Sequence, residues 1–285
     1  MIIDEIVLAR AKSVEEAVHE VFEMAKKNMA HPGDLMLIHQ QGYFSNLAPT
    51  TPMIGLGLLG HAYLSQRKYI SWYRKQFHIA MPEADYDALI RADAEHASND
   101  QASTHMEANI YLGFWESDYF QKVLYQLGRL VTGQPYDWHR VTPTETIVSV
   151  ESSIARFKKA CPRFFGILNS NYDAEIRNDI AHSLFFADVD GICFVKENSD
   201  DRRAFEDAHD WRYRFATTLL VYNAINKEFA EYAKKLVAES SPPHDLDIRV
   251  IYSDGHEEMK PISPRDEAKP ESWVWSSNQA LSGMR

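Results

Sequence analysis

The chain has few cysteines and no long hydrophobic run. Cys161 and Cys193 are the only thiols among its 285 residues, which excludes a disulfide-stabilised scaffold and predicts a reduced, intracellular environment. The longest apolar stretch, residues 53–64, is interrupted by His61 and is well short of the ~20 residues that a membrane-spanning helix needs. The N-terminus carries acids early and lacks the basic and apolar regions of a signal peptide. We therefore expect a cytoplasmic protein without a membrane segment.

Positive charge is also scarce. Asp and Glu outnumber Lys and Arg by 41 to 30, which gives a formal net charge of −11. A protein that coats duplex nucleic acid needs clustered positive charge to displace counterions from the phosphates, so the composition argues against that class. It remains compatible with a nucleic-acid enzyme whose basic groups are few and local. Hydrophobic residues make up 45% of the chain, which is enough for a sizeable globular core.

Helical periodicity dominates the sequence. Ser13 and Glu16 form a capping box, and Val14, Ala17, Val18, Val21 and Phe22 follow at helical spacing. Pro32-Gly33 ends this helix, and residues 34–53 are rich enough in turn formers to predict mostly loop. Further helices are predicted at about 56–79, 82–97, 103–130, 142–159, 172–187 and 201–239. A strand at 192–195 and a hairpin at 247–262, turning at Ser253-Asp254-Gly255, complete the prediction.

A polar stretch at 96–104 and Pro242-Pro243 mark the candidate domain boundaries. They divide the chain into an N-terminal, mostly helical region of unknown role (1–100), a helical bundle (101–240), and a hairpin followed by a flexible tail (241–285). The tail is expected to be mostly disordered, with Trp273 and Trp275 available for docking. Short connections between the four helical segments of the second region favour antiparallel neighbours. The fold class is therefore predominantly all-α, with an up-down four-helix bundle.

The segment from Glu175 to Ser183 carries the candidate site. At 100° per residue, Ile176, Ile180 and Leu184 form one buried stripe, whereas Arg177, Asn178 and His182 lie on the opposite face. An arginine offers a planar, permanently charged fork for phosphate oxygens, and a histidine can exchange a proton near neutral pH. This combination of side chains is suited to binding one phosphate group. The alternative is a solvated helix face with no function.

The string Ile176-Arg-Asn-Asp-Ile-Ala-His182 resembles the signature of the HEPN superfamily (higher eukaryotes and prokaryotes nucleotide-binding). The resemblance covers about half of the chain and implies an up-down helical bundle with the motif on an inner helix. It implies that Arg177 and His182 are the catalytic pair, with Asn178 and Asp179 as supporting polar residues. It also implies an endoribonuclease that uses no metal or other cofactor, in a toxin or antiviral-defence setting.

The chemistry implied by this resemblance fits the residue types. A base removes the proton of an RNA 2′-hydroxyl, the oxygen attacks the adjacent phosphorus, and an acid protonates the leaving 5′-oxygen. Arg177 would neutralise the charge that develops on the phosphate. The resemblance also implies a homodimer with a composite active site, and two copies of the motif would supply the two histidines that separate acid and base roles require. The expected partners are RNA, a second copy of the chain, and an antitoxin or other regulatory protein.

Several other patterns suggest competing functions. Gly55-Leu-Gly-Leu-Leu-Gly60 has the letters of a dinucleotide fingerprint but lacks a preceding strand. Glu16-x-x-His19 and Glu206-x-x-His209 have the spacing of di-iron ligands, for which Glu107, Glu116 or Glu151 would supply further carboxylates. The aromatic and basic residues at 67–77 are candidates for stacking with single-stranded RNA. A non-catalytic bundle that binds a nucleotide or a protein, and dimerises through the Arg–His face, is the alternative to the nuclease.

Overall fold

The structure is a computed structural model. Its described residues form mostly helices, together with small antiparallel sheets. The described residues are 2–45, 48–54, 94–139, 150–188, 191–194, 203–240, 244–267 and 272–276. The prediction of a predominantly helical chain is confirmed at this level. None of the described helices is long and apolar enough to cross a membrane. The dinucleotide-like glycines at 55–60 and the aromatic and basic residues at 67–77 lie outside the described residues.

The elements within these residues run in the following order. The helices are α1 (Ile2–Asn28), α2 (Gly33–Gln40), α3 (Ala94–Trp115), α4 (Asp118–Val131), α5 (Val150–Ala155), α6 (Phe157–Ala160), α7 (Pro162–Asn171), α8 (Ala174–Ala181) and α9 (Ala208–Glu239). The strands are β1 (Tyr43–Ser45), β2 (Ala48–Met53), β3 (Phe185–Asp188), β4 (Gly191–Phe194), β5 (Arg203–Asp207), β6 (Leu246–Ile251), β7 (Glu257–Pro264) and β8 (Trp273–Trp275).

The chain divides into two compact units that are not contiguous in sequence. The first unit takes in the described residues within 1–15, 64–117 and 166–222, and the second those within 16–63, 118–165 and 223–285. The division inferred from the sequence, with boundaries near residues 100 and 240, stays a prediction.

In the first unit, a three-stranded antiparallel sheet in the order β3-β4-β5 follows the candidate site helix. Its buried face carries Ile192 and Phe194, which are at most 2% exposed. The Phe185 ring of β3 stacks on His105 of α3, with ring centroids 4.8 Å apart. The strand predicted at 192–195 is confirmed as β4, although β3 and β5 replace the helical ends predicted on either side of it.

In the second unit, the C-terminal strands form a sheet in the order β6-β7-β8. The predicted hairpin is confirmed, and Gly255 in its turn has a φ of 83°. Within the tail that was expected to be mostly disordered, β8 is ordered. The expected docking through Trp273 is confirmed, because Trp273 is only 2% exposed and its backbone N–H donates to the side-chain oxygen of Gln40. A Cβ on Gly33 would lie 2.8 Å from the Asp247 carbonyl oxygen. The absence of a side chain there lets α2 approach β6 closely.

The helix α1 has the predicted core but not the predicted start. The five apolar residues that follow Ser13 at helical spacing are all fully buried. The helix nevertheless begins at Ile2, so the capping-box pair lies inside it. The predicted loop at 34–53 is also wrong, because it contains α2 and the β1–β2 hairpin. All eight residues of α2 are buried, so the sequence shows no alternation of polar and apolar faces.

Two other helix boundaries differ from the prediction. The helix predicted at 103–130 is broken after Trp115, and α4 begins at Asp118. Buried residues on both sides of the break, Trp115 and Tyr119 among them, preserve the helical spacing in the sequence and conceal the interruption. The helix predicted to begin near 201 begins at Ala208, because the preceding residues pair with β4 as β5. The prediction at 142–159 falls partly outside the described residues, and its described part consists of α5 and α6.

Candidate functional site

The motif helix α8 is short and has well-defined ends. Asp173 precedes it in an extended conformation, and its Oδ1 accepts hydrogen bonds from the backbone N–H groups of Glu175 (2.8 Å) and Ile176 (3.1 Å). An aspartate in this position satisfies N–H groups that have no partner within the helix. The helix therefore begins at a residue whose side chain favours a start at this point.

The C-terminal end of α8 places His182 at the helix cap. Ser183 has a φ of 57°, and the N–H of Leu184 donates to the Asp179 carbonyl at 2.7 Å while that of Ser183 donates to Ile180 at 3.1 Å. This pair of bonds is a Schellman motif, in which glycine usually occupies the left-handed position. The helix predicted to continue to residue 187 therefore ends at Ala181, and Leu184 lies outside the helical stripe.

The buried and exposed faces of α8 agree in part with the prediction. Ile176 and Ile180 are buried, at 9% and 3% exposure. Asn178 and His182 are exposed, and the His182 ring makes no hydrogen bond or ion pair within the described part of the chain. Asp179 is half-buried. The Arg177 side chain departs from the expected solvated face, because it is only 30% exposed and lies against another helix end.

Arg177 forms an ion pair with the residue that follows α3. Its Nη1 donates to Glu116 Oε1 at 2.9 Å, and the Glu116 side chain is 45% exposed. Burial works to lower the pKa of Arg177, but interactions with Tyr172 and Glu116 outweigh it and raise the pKa above its ordinary value. The guanidinium therefore stays charged and is held in one place. The sequence predicts Glu116 only as a candidate iron ligand, because two residues 61 positions apart in the chain carry no sequence signal of contact.

Aromatic side chains support the two segments that meet at this ion pair. Trp115 directly precedes Glu116, and Tyr172 lies just before α8. The centroids of their rings are 4.8 Å apart. The hydroxyl of Tyr111 donates to the Asn171 carbonyl at 2.8 Å, and its ring lies 5.5 Å from that of Trp211. Because these rings are nearly or fully buried, the backbone that carries Arg177 is attached to α3 by packing as well as by charge.

Several of the residues proposed as di-iron ligands have other partners. Glu107 is fully buried and accepts from Ser103 and from the indole N–H of Trp211. Glu16 pairs with Arg163, and His19 with Glu228. Across the described residues, no three His, Cys, Asp or Glu side chains lie close enough together to hold a metal ion. The side chain of Glu206 is outside the described set, so the second Glu–His pair is not tested.

Of the two cysteines, Cys161 has the environment of a structural thiol. Cys161 is 2% exposed, and burial, with a smaller contribution from Glu20, raises its pKa to about 11. Cys193 is half-buried on β4. A thiol whose pKa is raised has little of the thiolate needed for nucleophilic or redox chemistry. Cys161 is therefore unsuited to such a role.

Comparison of the chain with models of known protein families, with curated proteins and with solved structures finds no match. The helix α8 carries a charged arginine held by Glu116, an exposed amide at the next position, and an exposed imidazole at the C-terminal cap. These are groups that can bind a phosphate and transfer a proton.

Proposed function

We propose that the chain is a metal-independent, HEPN-type endoribonuclease in which Arg177 and His182 act on the scissile phosphate. The observation that carries this proposal is the difference between the two side chains. Arg177 is fixed by Glu116, whereas His182 is exposed and has no partner within the described residues. A charge stabiliser benefits from being held in advance, and a proton-transfer group must be able to reach the substrate.

The reaction assigns one role to each residue. His182 takes the proton of the RNA 2′-hydroxyl or delivers one to the leaving 5′-oxygen. Arg177 neutralises charge on the non-bridging oxygens, and exposed Asn178 donates a hydrogen bond to the same phosphate. Glu116 is a positioning residue, since it contacts Arg177 and not the reacting atoms.

The proposal includes an up-down bundle and a homodimer. A single exposed His182 supplies one of the two proton transfers, so a second copy of the motif would supply the other. The setting is that of a toxin or an antiviral-defence effector, with RNA as substrate and an antitoxin or regulatory protein as partner. These parts of the proposal come from the resemblance of the motif.

The Glu116 contact also favours one alternative. An arginine already paired within its own chain can simply fix α8 against α3, as in a non-catalytic bundle that binds a nucleotide or a protein. The two functions differ in what they require of His182. A structural Arg177–Glu116 pair has no need of the histidine, whereas RNA cleavage does.

The test is incubation of purified protein with total RNA in the presence of EDTA. The wild-type protein is expected to cleave, and the His182→Ala variant is expected to lose cleavage. Arg177→Lys should fail as well, because an ammonium group cannot make the forked contact of a guanidinium. His256→Ala is the matched control, since His256 is an exposed histidine in the other compact unit. Equal cleavage by the wild-type and His182→Ala proteins would place the chemistry elsewhere, and absence of cleavage by the wild type would favour the non-catalytic alternative.

A further inference from the structure

Residues 152–172 contain four basic side chains and no acidic one, in a chain with a net charge of −11. The basic residues are Arg156, Lys158, Lys159 and Arg163. They lie on and between the consecutive short helices α5, α6 and the start of α7 in the second unit. A local excess of positive charge is the feature that an acidic protein needs in order to bind a polyanion.

Arg156 is held in place by contacts that leave its charge uncompensated. Its guanidinium lies 5.2 Å from the centroid of the Tyr125 ring, and Arg129 lies 5.7 Å from the same ring. Its Nη1 donates to the neutral amide oxygen of Gln134 at 2.9 Å. Gly128 makes room for it, because a Cβ there would lie 3.0 Å from the Arg156 side chain.

The neighbouring cations differ in whether a carboxylate neutralises them. Arg163 binds Glu16 and Glu20, and Arg129 lies 3.8 Å from Asp137. In contrast, none of Arg156, Lys158 and Lys159 has a carboxylate within salt-bridge distance among the described residues. Lys158 lies over the ring of Phe165, at 5.8 Å from its centroid, and both lysines are exposed. Three adjacent positive charges are therefore available to a ligand.

We infer that Arg156, Lys158 and Lys159 form a binding surface for the sugar–phosphate backbone of single-stranded RNA. This 156–159 surface deepens the proposed nuclease function and rests on it for the choice of RNA over other polyanions. Cations on consecutive short helices bind phosphates through charge and released counterions. Such contacts position a strand without reading its sequence. These three residues are therefore expected to contribute a measurable part of the salt dependence of binding.

The test measures binding of a fluorescent single-stranded RNA by anisotropy over a range of KCl concentrations. All proteins carry His182→Ala, so that the RNA is not cut during the titration. The test variant adds Arg156→Gln, Lys158→Gln and Lys159→Gln. The control variant has the same change in charge, through Lys27→Gln, Lys234→Gln and Lys235→Gln, at lysines that are also exposed and in the same unit. Urea unfolding of each variant confirms that it is folded.

The expected result is a loss of affinity of at least about tenfold at low salt for the test variant only. The slope of log K against log[KCl] should fall by about 2, since each phosphate contact on a single strand contributes about 0.7. Equal affinities and slopes in the test and control variants would overturn the inference. Loss of binding to vesicles containing phosphatidylserine, with RNA binding unchanged, would also overturn it and assign the surface to membranes. Binding and cleavage are measured separately, so the two proposals can fail separately. If the protein with His182 intact does not cleave RNA but the salt-dependent binding is observed, the nuclease function is contradicted and the 156–159 surface is retained.

Discussion

Replacing Asp34 by asparagine is expected to stabilise the protein at neutral pH. The Asp34 side chain is 1% exposed, and its Oδ1 has no hydrogen-bond partner within the described residues. Its Oδ2 makes a long contact, 3.5 Å, with the guanidinium of Arg249. Burial raises the pKa of Asp34 from 3.8 to about 6, against the opposing effect of Arg249, and Glu257 raises it further. The folded protein therefore holds this carboxyl group more readily in its neutral form.

The sign and size of the effect follow from this difference. The folded-state pKa of Asp34 is above its unfolded value. The protonated carboxyl group therefore contributes its full stabilisation below pH 3.8, and this contribution is lost as the pH rises through 6. At about 1.4 kcal/mol per pKa unit, the ionised carboxylate costs about 3 kcal/mol of unfolding free energy at pH 7.5. Asparagine has the shape of the neutral acid and does not ionise. The Asp34→Asn variant should thus be more stable by up to about 3 kcal/mol at pH 7.5, and by less than about 1 kcal/mol at pH 4.

Urea unfolding at these two pH values measures the difference. Asp247→Asn is the matched control, because Asp247 is an exposed carboxylate on β6, where substitutions usually change stability by no more than about 0.5 kcal/mol. A variant that is less stable than the wild type at pH 7.5 would refute the reasoning. That result would mean that the ion pair with Arg249 contributes more than burial of the charge costs.

Three further predictions concern the candidate site. His182→Ala should change the unfolding free energy by less than about 0.5 kcal/mol, whereas Ile180→Ala should lower it by about 2–5 kcal/mol by opening a cavity. Urea unfolding measures both values. An unfolded His182→Ala variant would contradict the assignment of the site. Ser183→Gly should raise the unfolding free energy by up to about 1 kcal/mol, because glycine adopts the left-handed conformation without strain; a loss of stability in the same assay would count against the Schellman motif. Glu116→Gln should lower kcat for RNA cleavage about tenfold by releasing Arg177, with little change in the melting temperature because the pair is partly exposed; an unchanged kcat would remove the positioning role.

Much of the local architecture could be predicted from patterns that depend on neighbouring residues. The buried face of α1, the β6–β7 hairpin and the strand at β4 all follow from periodicity or turn chemistry. The Ile176–Ile180 stripe was predictable for the same reason, and Asp173 carried a readable capping signal. These features depend on contacts within a few residues along the chain.

The features that the sequence concealed depend on contacts between distant segments. The strands β3 and β5 form because they pair with β4. The helix α2 is buried on every side. None of these three elements has a distinctive sequence pattern. Ser183 ends α8 in a conformation that usually requires glycine, so the helix was predicted to be too long. The Glu116–Arg177 ion pair depends on how α3 and α8 pack. No spacing pattern in the sequence predicts that contact.

Analysis of the RNA ends produced by cleavage in EDTA tests the central claim most directly. Attack by the 2′-hydroxyl must leave a 2′,3′-cyclic phosphate, or its hydrolysed form, and a 5′-hydroxyl. A substrate with 2′-deoxyribose at the cut site should be inert, and His182→Ala should yield no product. We expect all three results from a nuclease that uses Arg177 and His182. Products that end in a 5′-phosphate, or cleavage by His182→Ala at the wild-type rate, would contradict the account.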